Sequence, residues 1–370
     1  MAKAKCDVAV VGAGILGLAV AEAAARRGAD VVVVEAQTVG AGASGGLVGA
    51  LSPHAPERWN PKKAFQATAL AEAERYWRGI AERGGRDPGF RRTGRLLPLT
   101  TDSARESAEA RACAAAAVWP AGFHWRLCPP DAWSDWLDPS AAPTGMVHET
   151  LSGQIAPRRA LPALVAALAA AGGRLWEVWP VAEIAPGRVA GPRGEVEATW
   201  VVNAAGLAGF ALLAPLLGPV PGRGVKGQAA LLDATPPKGA PMIFADGIYI
   251  VPHGPRRVAV GSTSETVWTA PEATDEALDA VIAAAARMCP PLRSAQVRAR
   301  WAALRPRAPR PDPMLGPLPG HPRILAALGG FKIGFGLVPG VAAALSATLA
   351  GERHALPDMF SVAHHLDGRS

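Results

Sequence analysis

Cysteine is scarce: Cys6, Cys113, Cys128 and Cys289 are the four in 370 residues. None forms a C-x-x-C pair or stands beside histidine at metal-ligand spacing, which predicts reduced thiols and no metal. Tyrosine is scarcer, with only Tyr76 and Tyr249. No apolar run reaches the roughly 20 residues of a membrane span. The run Val8–Ala21 lacks a cleavage site and holds three glycines in a fixed pattern, so it is not read as a signal peptide. A cytoplasmic protein with no membrane partner is expected. The net charge is +7, yet no dense Lys/Arg block marks a nucleic-acid face. Internal repeats of solenoid period are also missing. No convincing His/Asp pair suggests acid–base machinery.

What is present is a punctuated α/β pattern. The 41 glycines and 35 prolines separate periodic segments, and 49% apolar content is enough for a core. Asp7–Val11 and Val31–Val34 are β-branched runs joined by an alanine-rich helix ending at Arg26-Arg27-Gly28, which predicts a buried parallel βαβ unit. Helices are expected over 64–83, 102–117, 158–171, 275–288 and 340–350. Strands are expected over 94–99, 174–178, 200–203, 248–251, 257–261 and 323–328. The expected fold is α/β: a doubly wound, Rossmann-like cofactor domain plus a smaller α+β substrate domain with an antiparallel sheet. The first is assigned residues 1–83, 151–215 and 309–370, and the second 84–150 and 216–308.

Gly12-Ala13-Gly14-Ile15-Leu16-Gly17 follows the first strand and opens the first helix. Gly12 permits the turn, Gly14 admits a pyrophosphate, and Gly17 lets helix and strand pack closely. The helix N-terminus offers free N–H groups to phosphates. Glu35 ends the second strand, where a carboxylate can accept ribose hydroxyls. This motif alone does not separate NAD from FAD. Two further glycine-rich loops, 40–46 and 329–336, suit a longer cofactor that spans both domains.

Near the C-terminus, Trp301-Ala302-Ala303-Leu304-Arg305-Pro306 places a cation directly before proline. Proline biases Arg305 to extended backbone, and the apolar residues before it should anchor the segment. A guanidinium held there can grip a carboxylate with two hydrogen bonds. Arg307 and Arg310 are expected to face solvent, Lys226 to be structural, and His54 to be solvated. The eleven tryptophans are expected to fill core and interface.

Taken in order, these segments resemble the D-amino-acid-oxidase-like FAD-dependent oxidoreductases, and within them the glycine-oxidase branch. The resemblance is carried by Gly12–Gly17 with Glu35, GASGGLVGALSPHAP at 42–56, TGRLLPL at 93–99, VKGQ at 225–228, IYIVP at 248–252, VAVGST at 258–263, the Arg305 segment and GGFKIGFG at 329–336. It implies noncovalent FAD, held by Gly12, Gly14, Ile15, Leu16, Gly17, Glu35, Ala36, Ala43, Ser44, Val48, Gly49, Ala50 and Val181. Ala205, Gly206, Gly330, Phe331, Lys332, Ile333, Gly334, Phe335 and Gly336 complete the expected set. It also implies that Arg305 holds the substrate carboxylate and that Tyr249 lines the same pocket. Lys332 stands where the family has a second arginine, and Phe244 where it has a second tyrosine. Lysine is a point charge and cannot reproduce a planar fork.

The implied reaction is oxidation of the C–N bond of a small amino acid or N-alkylglycine. Hydride passes to the flavin, the imine is hydrolysed to an oxo acid and an amine, and oxygen or another acceptor reoxidises the flavin. Three alternatives accompany this reading. One is a tRNA wobble-uridine carboxymethylaminomethyl flavin enzyme, which the 42–51 segment also resembles. Another is the flavin subunit of a multi-protein amine dehydrogenase. The third is an NAD-dependent dehydrogenase. Self-association into a homo-oligomer is left open.

Overall fold

The computed structural model describes residues 2–353 and 356–367. Its chain builds two large sheets. The first contains eight strands, with the main path Met314–Leu318, His321–Leu328, Gly194–Asn203, Ala2–Val11, Val31–Val34 and Arg174–Trp176. The central pairs are parallel, and the Met314–Leu318 edge strand is antiparallel. Side chains of adjacent strand residues leave on opposite faces. Val8, Val10, Val31 and Val33 therefore join one core, with the helices Ile15–Arg26, Pro61–Gly84, Pro157–Ala170 and Gly334–Leu349. Ala9, Val11, Val32 and Val34 join another, with Phe210 and Leu213 of the helix Ala208–Leu217. All four valines of Val31–Val34 are buried, worth roughly 1.5–3 kcal/mol each in transfer terms. Burial on both faces is why this strand reads as an unbroken apolar run.

The second sheet runs Gln296–Arg307, Arg223–Asp233, Val258–Gly261, Ile248–Pro252, Met242–Ala245, Arg95–Pro98, Met146–Glu149 and Trp125–Cys128. Every pairing is antiparallel except that of Met242–Ala245 with Arg95–Pro98. The fold class is therefore the mixed α/β expected. No helix among the described residues is long and apolar enough to cross a membrane.

Three local expectations need correction. The segment around Arg305, expected only as extended backbone and not among the expected strands, lies in the twelve-residue strand Gln296–Arg307. Pro306 lies opposite Gly224 on the edge of the sheet, where its outward side needs no N–H. The last helix starts at Gly334 rather than 340 and carries Pro339 inside it. Burial of Leu337, Val338, Val341 and Leu345 overrides the poor propensity of its glycines and proline. The strand at 174 stops at Trp176, and Val178 adopts a positive φ of 53°.

Candidate active site

One cavity of about 900 Å³ runs from the C-terminal end of the parallel strands to the face of the antiparallel sheet. That is near the top of the ~300–1,000 Å³ range of small-molecule sites. Gly12, Gly14, Ile15, Leu16, Glu35, Ala36, Ala43, Ser44, Val48, Gly49, Ala50, Val181, Ala205, Gly206 and residues 330–336 all line it. Gly17 does not. A methyl group on Gly17 would overlap the carbonyl oxygen of Gly12, so it works beneath the turn, as its packing role requires.

The turn is built for close approach. Gly12 has φ +104°, and a Cβ there would lie 2.5 Å from the oxygen of Ala204. Glu35 Oε2 accepts from the Ala13 amide at 2.7 Å, and Oε1 accepts from Gln37 N at 2.9 Å. The carboxylate thus fixes the loop and keeps lone pairs for a ribose. One amide expected to face phosphate is already used, since Ile15 N donates to Ser44 Oγ at 3.0 Å.

The loop at 40–50 is clamped from the other sheet. Trp301 packs on Gly46, where a Cβ would meet its ring at 3.2 Å. His253 Nε2 contacts the carbonyl oxygens of Leu47 at 3.0 Å and Val48 at 2.9 Å. That geometry makes Nε2–H the donor. Nδ1 is buried with no hydrogen-bond partner among the described residues. Burial pushes the His253 pKa down against the pull of those carbonyls, which favours the neutral ring. A depressed histidine binds protons better in the unfolded chain, so its stability contribution is present above the ordinary value of about 6.5 and lost as pH falls below it. The temperature at which flavin is released should therefore fall between pH 7 and 5.5. His253→Asn, which keeps a donor but does not titrate, should flatten that slope.

At the far end of the cavity lie Arg305, Tyr249, Lys332 and Phe244. Arg305 is 8% exposed. Its Nη2 donates to Ser262 Oγ at 2.6 Å and its Nη1 to the Thr263 carbonyl at 3.1 Å. It makes no ion pair among the described residues. Burial lowers its pKa to about 10, with Glu265 acting in the opposite sense. It remains charged at neutral pH, as a desolvated cation facing a cavity. Burial, then the neighbouring charge of Arg305, lowers the pKa of Lys332. The Lys332 ammonium lies 5.5 Å from the Phe331 ring centroid, and Phe331 holds a positive φ of 42°.

Lys226 is structural as expected: it is buried and pairs with Asp275 at 2.7 Å and Glu265 at 3.6 Å. Arg307 and Arg310 do not simply face solvent. Arg307 lies 5.8 Å from the Phe331 ring centroid, and Arg310 donates to the Asp367 carbonyl at 2.9 Å. His54 is half-buried rather than solvated, is held by Gln66 and lines the cavity. Three contributors went unread in the sequence: Arg95, Gly227 and His253. Each gains its place through contacts between distant strands. The only advance signal was that each lies in or beside a segment carrying the resemblance.

Residues 7–348 match the FAD dependent oxidoreductase family. The chain belongs to this family. It is 31% identical to the glycine oxidase of Pseudomonas putida over 347 residues, covering 90% of this chain and 91% of that protein. Its fold is similar to that of glycine oxidase from Geobacillus kaustophilus, with a TM-score of 0.88 at 24% identity over 97% of this chain and 98% of the other. It is also similar to iminodiacetate oxidase from Chelativorans sp. BNC1, with a TM-score of 0.85 at 22% identity over 96% and 98%. The protein is thus an FAD-dependent oxidoreductase of the kind that acts on amino acids or amines. The residues present fit the cofactor: a glycine turn that a single Cβ would fill, a helix N-terminus above it and an acid at the second strand end.

Proposed function

We propose that the protein oxidises the C–N bond of a small amino acid or N-alkylglycine, giving an oxo acid and an amine. The observation carrying this is Arg305, a buried guanidinium that makes no ion pair among the described residues, in the cavity that the glycine turn also lines. An uncompensated buried cation is costly unless a ligand supplies the anion. In this reading the unit built on the first sheet carries FAD, and the second sheet carries the substrate.

When bound, the flavin supplies the two-electron acceptor for the substrate Cα–H bond. The side chains do the rest. Arg305 grips the carboxylate and fixes the Cα. Tyr249 lines the same cavity, and Lys332 adds a second positive charge. Phe244 gives the wall an apolar face that suits an N-alkyl group. Release of the imine to water gives the oxo acid and amine, and oxygen is proposed as the final acceptor. The names of the relatives, glycine oxidase and iminodiacetate oxidase, agree with a carboxylate next to an amine.

The test is a panel of glycine, sarcosine, proline, iminodiacetate and D-amino acids mixed anaerobically with the holoenzyme. At least one should bleach the flavin band within seconds and release its oxo acid. A panel that leaves the band untouched overturns the reading.

A further inference from the structure

A second guanidinium reaches the cavity from the antiparallel sheet. Arg95 is buried, and its Nε lies 2.9 Å from Glu149 Oε1. Its Nη1 donates to the Tyr249 oxygen at 3.2 Å. Its guanidinium carbon stands 5.6 Å from the Phe244 ring centroid, and the Phe244 and Tyr249 rings lie 4.4 Å apart. Glu149 is fully buried and is itself held by the Ser152 amide, at 3.0 Å, and by the Ser152 hydroxyl. Arg95 is thus fixed by an acid on one side and an aromatic face on another, and it addresses a single phenol.

A phenolic O–H lies in the plane of its ring, with one direction to each side of the C–O bond. A donor on one side leaves the other for the proton. Tyr249 donates to no group among the described residues, and its side chain lines the cavity together with Arg305. A charged donor to the oxygen also polarises the O–H and strengthens what it can donate. We propose that Arg95 is a positioning residue that fixes the Tyr249 hydroxyl as a donor to the carboxylate gripped by Arg305. The inference rests on the carboxylate-binding pocket of the reading above.

Burial works against the charge of Arg95, but Glu149 and Tyr249 more than offset it and hold the guanidinium pKa above its usual value. The side chain therefore donates throughout the working range. Its contact with Glu149 also balances its charge, whereas Arg305 and Lys332 make no ion pair among the described residues.

The test uses holoenzyme and simple carboxylates, acetate and propionate. Their dissociation constants are read by calorimetry and by perturbation of the flavin absorption, without turnover. Tyr249→Phe should weaken binding by about 10-fold or more, as expected for a hydrogen bond to a charged group. Arg95→Lys keeps the charge but loses the fork, and should weaken binding about fivefold. In the Tyr249→Phe background Arg95→Lys should cost nothing further, because the proton it orients is gone. A merely structural Arg95 would cost the same in both backgrounds, and that result overturns the proposal. Unchanged affinity in Tyr249→Phe, or no carboxylate binding by the parent enzyme, overturns it as well. Should Arg95→Lys not fold, Arg95→Met with Glu149→Leu removes both buried charges together and enters the same cycle. Non-additive carboxylate binding with no amine oxidised would remove the reaction assigned above and leave this inference standing.

Discussion

Arg305→Ala is expected to raise the KM for any carboxylate-bearing amine by about 30- to 5,000-fold while the purified protein stays yellow. The range follows from the roughly 2–5 kcal/mol lost when one partner of a buried, hydrogen-bonded charge pair is removed. FAD retention should not change, because the groups that form the glycine turn and its acid lie on the other sheet. The thermal midpoint should hold or rise. In the ligand-free protein Arg305 is a desolvated cation whose pKa is pulled down to about 10 by burial. The unfolded chain binds that proton more tightly, so the charge costs folding stability at neutral pH. A side chain that costs stability and is needed for affinity marks a functional site. Equal losses of FAD and substrate affinity, or a large fall in melting temperature, would make Arg305 a structural residue. Esters and amides of the best substrate give an independent reading, since they should react equally poorly with parent and variant.

The glycine turn with Glu35 was legible because its logic is local. A tight turn, a helix start and an acid at the next strand end are all written within one βαβ unit. The valines of Val31–Val34 were legible for the same reason, through an unbroken apolar run. The Arg305 strand was not, because a proline-rich string looks unfit for a ladder until its place on the sheet edge is known. Arg95 lies in TGRLLPL, a segment that carried the resemblance, but nothing within it announces Glu149 or Tyr249. Those partners come from strands far along the chain. Lys226 was read as structural, and its pairing with Asp275 agrees. The harder inference was its neighbour: a single glycine within a strand carries no local sign of what lies above it.

That neighbour, Gly227, should be nearly as sensitive as Arg305. Gly227→Ala is expected to raise the KM for carboxylate substrates by about 10- to 1,000-fold, against a folding cost of about 1–3 kcal/mol for overpacking. The strands Arg223–Asp233 and Gln296–Arg307 pair so that Val225 faces Arg305 and Gly227 faces Ala303. Gly227 is therefore the diagonal neighbour of Arg305 on the same face. A methyl group built on it would overlap the guanidinium carbon and both terminal nitrogens. Lys226 and Gln228 on either side are tied by hydrogen bonds to Glu265 and Asp275, so the strand cannot easily yield. The guanidinium must leave its bonds to Ser262 and Thr263 and lose its aim. FAD binding should persist, which separates this effect from general unfolding. The decisive comparison is the double variant. With Arg305→Ala already made, Gly227→Ala has nothing to displace and should add no more than about twofold to the KM. If Gly227→Ala alone keeps the parent KM, the guanidinium is not seated on that strand in solution. If the two effects simply multiply, Gly227 acts somewhere other than beneath Arg305.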